Sequence, residues 1–530
     1  MAVSSPGEPH RLALRVEAVI GRYRVRCPAT LIPAGPGELL VAISTRSKLD
    51  PRLVLLTILV FAVSIHLPIY GDGLNPDATT YMDLTHSLVY SGTIERQTLD
   101  YPRHPPLMSV VYAPYALLLG FNEFSVHTLE LSFFLADLVI LYLLFVRRLG
   151  SWFALVPLLF LAFDPVLYLN MSEGRSLSVL ILFVLVTLWG IWSGLENSSR
   201  LWMAGVGASL GFLTADTVGY LFLAAGLVGF LWRFYYVRWR VLTDRGYVLA
   251  STIFLGTVTS WTAYNTVAIG SPYTDPRVVG YLNRLLFGTP SFVAIILASG
   301  LAVYFGLYVC QTALPFLLFR HGRRTATHLP ARAVRDQTVG ALMLFILVTI
   351  LISAVMSAAF LLYDPLRSLA TADTYLRYAG VVAPMTYLAI GMYARSLSTR
   401  LPPNRWMVPL VLAILILAPQ FTGKVSQGQA NSEVFEEISQ TLRTRGFAVV
   451  YSDVAPFLRY NVPTTTFIEV DVGTSRQYVN LTTSEVPAGA TLLTLLLVPR
   501  AYDQQIGGFY LVDHFNPGNN SPFRNLLYGA

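Results

Sequence analysis

Several places in the chain put ionisable side chains at the ends of apolar runs, where they could do chemistry at a membrane boundary. Asp77 follows Asn75-Pro76 and opens the run Asp77-Ala78-Thr79-Thr80-Tyr81-Met82. A carboxylate just beyond a membrane exit, beneath an apolar lid, can act as a general base. The same residues also spell a helix start, with Asn75 as N-cap, Pro76 at the first helical position and Asp77 on the helix dipole. Residue types alone favour the cap, and both roles can hold together because a capped helix is a rigid mount. Glu173 and Arg175 sit in Asn170-Met171-Ser172-Glu173-Gly174-Arg175, between two apolar runs. Ionisable groups there are costly unless solvated or paired; the plain alternative is an exposed turn or a local ion pair that contributes little. Arg377-Tyr378 opens another run and is followed by Pro384. A guanidinium at headgroup depth can grip a phosphate with two parallel hydrogen bonds, although a snorkelling Arg beside an interfacial Tyr is common at helix ends. His104 precedes Pro105 and Pro106, which hold its backbone extended. A lone His near an interface is more often structural than catalytic. No second His or Cys stands at metal-ligand spacing, so no zinc site is expected. Walker A and GxSxG signatures are also absent.

The elements that would position these groups are membrane helices. The chain has 530 residues, 54% hydrophobic and only 13% charged, with a mean hydropathy of +0.56. Soluble domains carry about 25% charged residues, so the deficit excludes one large soluble core. The net charge of +7 needs no nucleic-acid partner, because Arg-rich cytoplasmic loops account for it. Cys27 and Cys310 are the only cysteines; one lies in a polar segment and one in an apolar run, so no disulfide framework is expected. The first 50 residues contain no apolar signal-peptide core.

Read against a span of about 20 residues, the apolar runs predict about 11 transmembrane helices. These lie near 53–70, 126–146, 151–169, 176–194, 202–216, 217–236, 247–268, 291–318, 339–362, 378–395 and 406–420. The short pair at 202–236 reads equally as a re-entrant hairpin. Arg147-Arg148, Arg200, Arg233 to Arg240, Arg320 to Arg335, and Arg395 with Arg400 fall in alternate loops. The positive-inside rule then puts the N-terminus in the cytoplasm. The stretch Leu107–Phe121 would reverse every later loop if it spanned, so 71–125 is expected to hold helices lying in the interface. Three regions result: a cytoplasmic segment 1–50, a mainly α transmembrane bundle 51–422, and a small extracytoplasmic α/β domain 423–530.

The order of these features resembles the membrane glycosyltransferases of the protein-mannosyltransferase and aminoarabinose-transferase type, the GT-C fold. The resemblance rests on Asp77-Ala-Thr-Thr-Tyr81, Tyr101-Pro-Arg-His104-Pro-Pro-Leu107, Gly211-Phe-Leu-Thr214, Tyr264-Asn265 with Gly270-Ser-Pro272, and Arg377-Tyr378 with Pro384. Each is weak alone; their order over 53–396 carries the likeness. It implies a hexosyl- or pentosyltransferase of the plasma membrane that uses a dolichyl- or undecaprenyl-phosphate sugar, inverts the anomeric centre, and serves a protein, lipid or glycan acceptor. Asp77 would be the catalytic base and Glu173 a second acid. Arg377, Arg103 and His104 would meet the donor phosphate, with Tyr81, Arg175 and Tyr378 lining the substrate. No metal is obligatory on this reading, although a divalent ion is possible. Ala215 and Asp216 replace the family's Lys after Leu-Thr, and no WWD motif is present, which argues against an oligosaccharyltransferase. A lipid-linked solute transporter and a non-catalytic assembly subunit of the same shape are the rivals.

Overall fold

The computed structural model describes residues 50–67, 70, 76–94, 104–172, 174–215, 238–268 and 270, with parts of 222–235, 380–391, 422, 437–452, 459–469 and the strands between 491 and 529. Helix α1 (Pro51–His66) and helix α2 (Pro76–Ser91) both begin at proline, whose fixed φ suits the first helical position. Helix α1 stops at His66 rather than running to 70 as expected. Pro68 is the reason in sequence, since the residue before a proline is pushed out of helical geometry. Helix α3 (Leu107–Leu119) starts directly after Pro105-Pro106 and ends at Gly120, at φ 88°. Its 13 residues fall short of the roughly 20 needed to span.

Helix α4 (Glu123–Leu149) is capped by Asn122, whose side chain accepts the Ser125 N–H, and closes at Gly150. The run expected as one straight span at 151–169 is two helices, α5 (Ser151–Ala162) and α6 (Pro165–Ser172), bent by 50°. Asp164 makes the break: Oδ1 accepts the N–H groups of Val166 and Leu167, each at 2.8 Å, and Pro165 starts the new helix. The chain between the runs expected at 151–169 and 176–194 is accordingly helical through Ser172. Helices α7 (Leu177–Glu196), α8 (Trp202–Thr214) and α9 (Arg245–Ala268) follow. Among the described residues, Glu123–Val146 and Leu177–Gly194 are long and apolar enough to cross a membrane, and the bent pair adds a third if it forms one span. The expected spans at 291–318, 339–362 and 406–420 lie outside the described residues.

Small residues let α7, α8 and α9 approach closely, as in membrane interfaces generally. A Cβ at Gly190 would lie 2.1 Å from Ala204 N, whereas one at Gly256 would meet nothing. Gly190→Val must therefore push backbone apart and is expected to reach or exceed the upper end of the roughly 1–3 kcal/mol of over-packing. Thermal melts in detergent should show a large drop for Gly190→Val and none for Gly256→Val; equal melts would refute the close contact.

A main apolar cluster joins α1, α4, α5, α6, α7, α8 and the helical pieces of 380–391. A second unites Ala78, Tyr81 and Met82 of α2, Met108 and Tyr112 of α3, and Val179 of α7 with Ile438, Leu442, Val450, Val462 and Phe467. Residues 437–445 are helical and precede strand β1 (Val449–Ser452) of a six-stranded sheet. The other strands are β2 (Thr466–Glu469), β3 (Thr491–Leu496), β4 (Gln505–Ile506), β5 (Phe509–Phe515) and β6 (Arg524–Gly529), in spatial order β2-β1-β3-β6-β5-β4. Strand β1 is parallel to β2 and β3, and the remaining pairs are antiparallel.

Candidate functional site

Helix α2 is the first support. Asp77 is its second residue, and Tyr81 follows four residues on, so the two positions share a face one turn apart. Tyr81 is buried, and its ring lies 4.8 Å, centroid to centroid, from that of His104. The proline pair behind His104 launches α3, which is itself locked to α4. Ser125 Oγ donates to Asn122 O at 2.7 Å, so its contact with Tyr112 Oη at 2.5 Å takes its proton from the phenol. Burial pushes the Tyr112 phenol up to about 12, which keeps that proton in place. Thr85 Oγ1 adds a link from α2 to Ser109 O of α3 at 3.2 Å.

The second support is the turn between α6 and α7. Gly174 at φ 67° and Ser176 at φ 60° reverse the chain in left-handed geometry. That is natural for Gly and costs roughly 1–2 kcal/mol for Ser. Arg175 N–H donates to Asn170 O at 3.0 Å and Gly174 N–H to Met171 O at 3.1 Å. Ser176 stands at the N-cap of α7 yet makes no side-chain cap; Glu130 of α4 does this instead. Its Oε1 accepts the Ser176 N–H at 2.7 Å, and its Oε2 accepts the Ser178 hydroxyl. A carboxylate at a helix start is favoured by the dipole, so Glu130 caps α7 from a neighbouring helix. The turn is thereby held with Arg175 buried and Ser176 Oγ donating to Tyr81 Oη at 3.5 Å.

Of the residues expected to form the site, Tyr81 and His104 therefore come together, and Arg175 is the chain neighbour of Ser176, which meets Tyr81. Asp77 joins them on its helix, with its backbone alone described. Arg103, Glu173, Arg377 and Tyr378 lie outside the described residues. Gly380, three residues after Arg377, packs closely on Leu177 at the start of α7: a Cβ there would lie 2.9 Å from Leu177 Cδ2. Glu130 was not among the expected residues; its signal is a carboxylate inside the apolar run 126–146, where ionisable groups tend to be functional. Ser176 carries no sequence signal, since its left-handed backbone would point to Gly. Among the described residues, no three His, Cys, Asp or Glu side chains gather as metal ligands.

Residues 103–264 match the model of the family described as dolichyl-phosphate-mannose-protein mannosyltransferase. That segment holds His104, Glu130, Arg175 and Ser176; it begins after Asp77 and ends before Arg377. No curated protein matches the chain. Among solved structures, the chain is similar to ArnT from Cupriavidus metallidurans bound to undecaprenyl phosphate, at 14% identity over 93% of this chain and 98% of that one, with a TM-score of 0.48. It is also similar to the apo oligosaccharyltransferase of Archaeoglobus fulgidus, at 11% identity over 85% and 70% of the two chains, with a TM-score of 0.47. The S. cerevisiae protein O-mannosyltransferase Pmt1-Pmt2 complex bound to the sugar donor is similar at 15% identity over 46% and 38%, with a TM-score of 0.33.

Proposed function

We propose that the chain is a membrane glycosyltransferase that moves a sugar from a polyprenyl-phosphate donor to an acceptor hydroxyl, with inversion, at the outer face of the plasma membrane. The observation that carries this reading is the meeting of Tyr81, His104 and the Arg175–Ser176 turn, largely inside the segment matching the mannosyltransferase family model. Asp77, one turn from Tyr81, takes the proton of the acceptor hydroxyl. The freed oxygen attacks the anomeric carbon from the face opposite the phosphate, as in single-displacement glycoside chemistry. The bond from that carbon to the phosphate oxygen breaks, and polyprenyl phosphate leaves with the electron pair. Arg377, with Arg103 and His104, stabilises the charge that develops there. Glu173 serves as the second acid, and Arg175 and Tyr378 line the substrate. Three peptide units span no more than roughly 11 Å, so the packing of Gly380 on α7 supports the role given to Arg377. A lipid phosphate is already a competent leaving group, so no metal is obligatory. The basic loops support an N-terminus in the cytoplasm, with α2 and the sheet outside.

Purified protein given a polyprenyl-phosphate sugar and an acceptor in excess EDTA should release polyprenyl phosphate in step with glycosylated acceptor. Movement of intact donor between leaflets without release would point instead to a transporter, and neither event to an assembly subunit. In the same assay Arg377→Ala should raise the donor KM by about 10- to 100-fold, the loss of one charged hydrogen-bond partner at about 1.5–3 kcal/mol. An unchanged KM would remove Arg377 from the phosphate site.

A further inference from the structure

Helix α2 is gripped on a second side. Successive helical residues turn by about 100°, so Asp83, two positions beyond Tyr81, points roughly opposite to it. Asp83 is 0% exposed. Its Oδ1 accepts Arg459 Nη1 at 2.7 Å and Tyr460 Oη at 3.1 Å. Burial, reinforced by the Asp83 charge, pushes the Tyr460 phenol upward, so it stays a donor. The Tyr460 ring stacks on Phe121, with centroids 6.3 Å apart. Phe121 in turn meets His86, nearly one full turn beyond Asp83, at 5.1 Å. Both donors to Asp83 come from the connection between β1 and β2, whose neighbours Val450, Val462 and Phe467 share the apolar cluster of Ala78, Tyr81 and Met82.

A carboxylate this deeply buried is costly to strand without its partner, and both of its donors belong to the C-terminal region. We infer that Asp83 is a positioning residue: through Arg459 and Tyr460 the C-terminal region clamps α2 and sets where Asp77 and Tyr81 stand for transfer. Tyr81 faces the His104–Ser176 side, Asp83 faces the clamp, and the helix between them has little freedom to roll. The inference rests on the sugar-transfer reading for its kinetic consequence, while the clamp itself is physical and can be read without turnover.

The test uses the full chain in detergent, with Arg459→Met, Arg459→Lys and Tyr460→Phe. Hydrogen exchange of the α2 amides should quicken by about 10-fold or more in Arg459→Met, because a released element opens locally. In that variant kcat should fall by about 10- to 100-fold with the donor KM within about twofold, as expected when a catalytic group is misplaced rather than a binding group lost. Arg459→Lys keeps the charge and should restore both readouts toward the wild type. A general loss of fold would not be rescued in this way. Tyr460→Phe removes one hydrogen bond and should give a smaller change in the same direction, and it decides the matter if Arg459→Met does not fold. Wild-type exchange in α2 for both Arg459→Met and Tyr460→Phe would overturn the clamp. Faster exchange with an unchanged kcat would overturn its positioning role. An inactive wild type would sink the sugar-transfer reading, and with it the positioning role, but leave the exchange result to judge the clamp.

Discussion

Asp77→Asn is expected to lower turnover by at least about 100-fold, the usual reach of a general base, while donor binding stays close to that of the parent. Asn matches the shape of Asp but has no oxygen basic enough to take the acceptor proton. The substitution also separates the two roles these residues can play. Were Asp77 only a partner for the helix dipole, losing its charge would cost about 0.3–1 kcal/mol of stability, and turnover would barely change. A transfer assay paired with a melt distinguishes the cases: near-normal turnover with a slightly lower Tm would take Asp77 out of the mechanism.

Glu130→Ala should have the next largest effect, and by a different route. It strands the Ser176 N–H and the Ser178 hydroxyl in a buried place, where an unmet donor costs about 1–3 kcal/mol. Ser176 then loses what holds it at φ 60°, and the Arg175 turn can relax away from Tyr81. A positioning loss of that size corresponds to about a 10- to 100-fold fall in turnover, with a lower Tm. Glu130→Gln keeps one carbonyl acceptor and should fall between the two. Wild-type turnover in Glu130→Ala would show that the turn keeps its place without Glu130.

Much of the scaffold was legible because it obeys local rules. Pro76 marks where α2 begins, and the apolar stretches from Leu107, at 126–146 and at 176–194 anticipate α3, α4 and α7. The break at Asp164-Pro165 obeys a local rule as well, but hydropathy registers an apolar run and not its direction, so one straight span was expected there. The site is harder to read, since its contacts cross long stretches of chain. Glu130 and Ser176 are 46 residues apart, and Asp83 and Arg459 are 376 apart. Nothing in the periodicity of either helix announces its partner. Arg175 stood out as a charge between two apolar runs, whereas Tyr81 and His104 entered as site residues through the family resemblance, and the meeting of these segments depends on how α2, α3 and α7 pack.

The elbow at Asp164 also governs depth. At about 1.5 Å per residue, the 12 and 8 residues of α5 and α6 rise roughly 18 and 12 Å, and the 50° bend leaves about 26 Å along the first axis. The 27 residues of α4 reach about 40 Å. The turn bearing Arg175 is thus recessed beside its longer neighbour. It meets Glu130, seven residues in from Glu123, at a level about 10 Å below the α4 tip. From the Asn122 end of α4 that level lies nearly two helical turns down, so the Arg175 backbone is held among the helices and not at their tips.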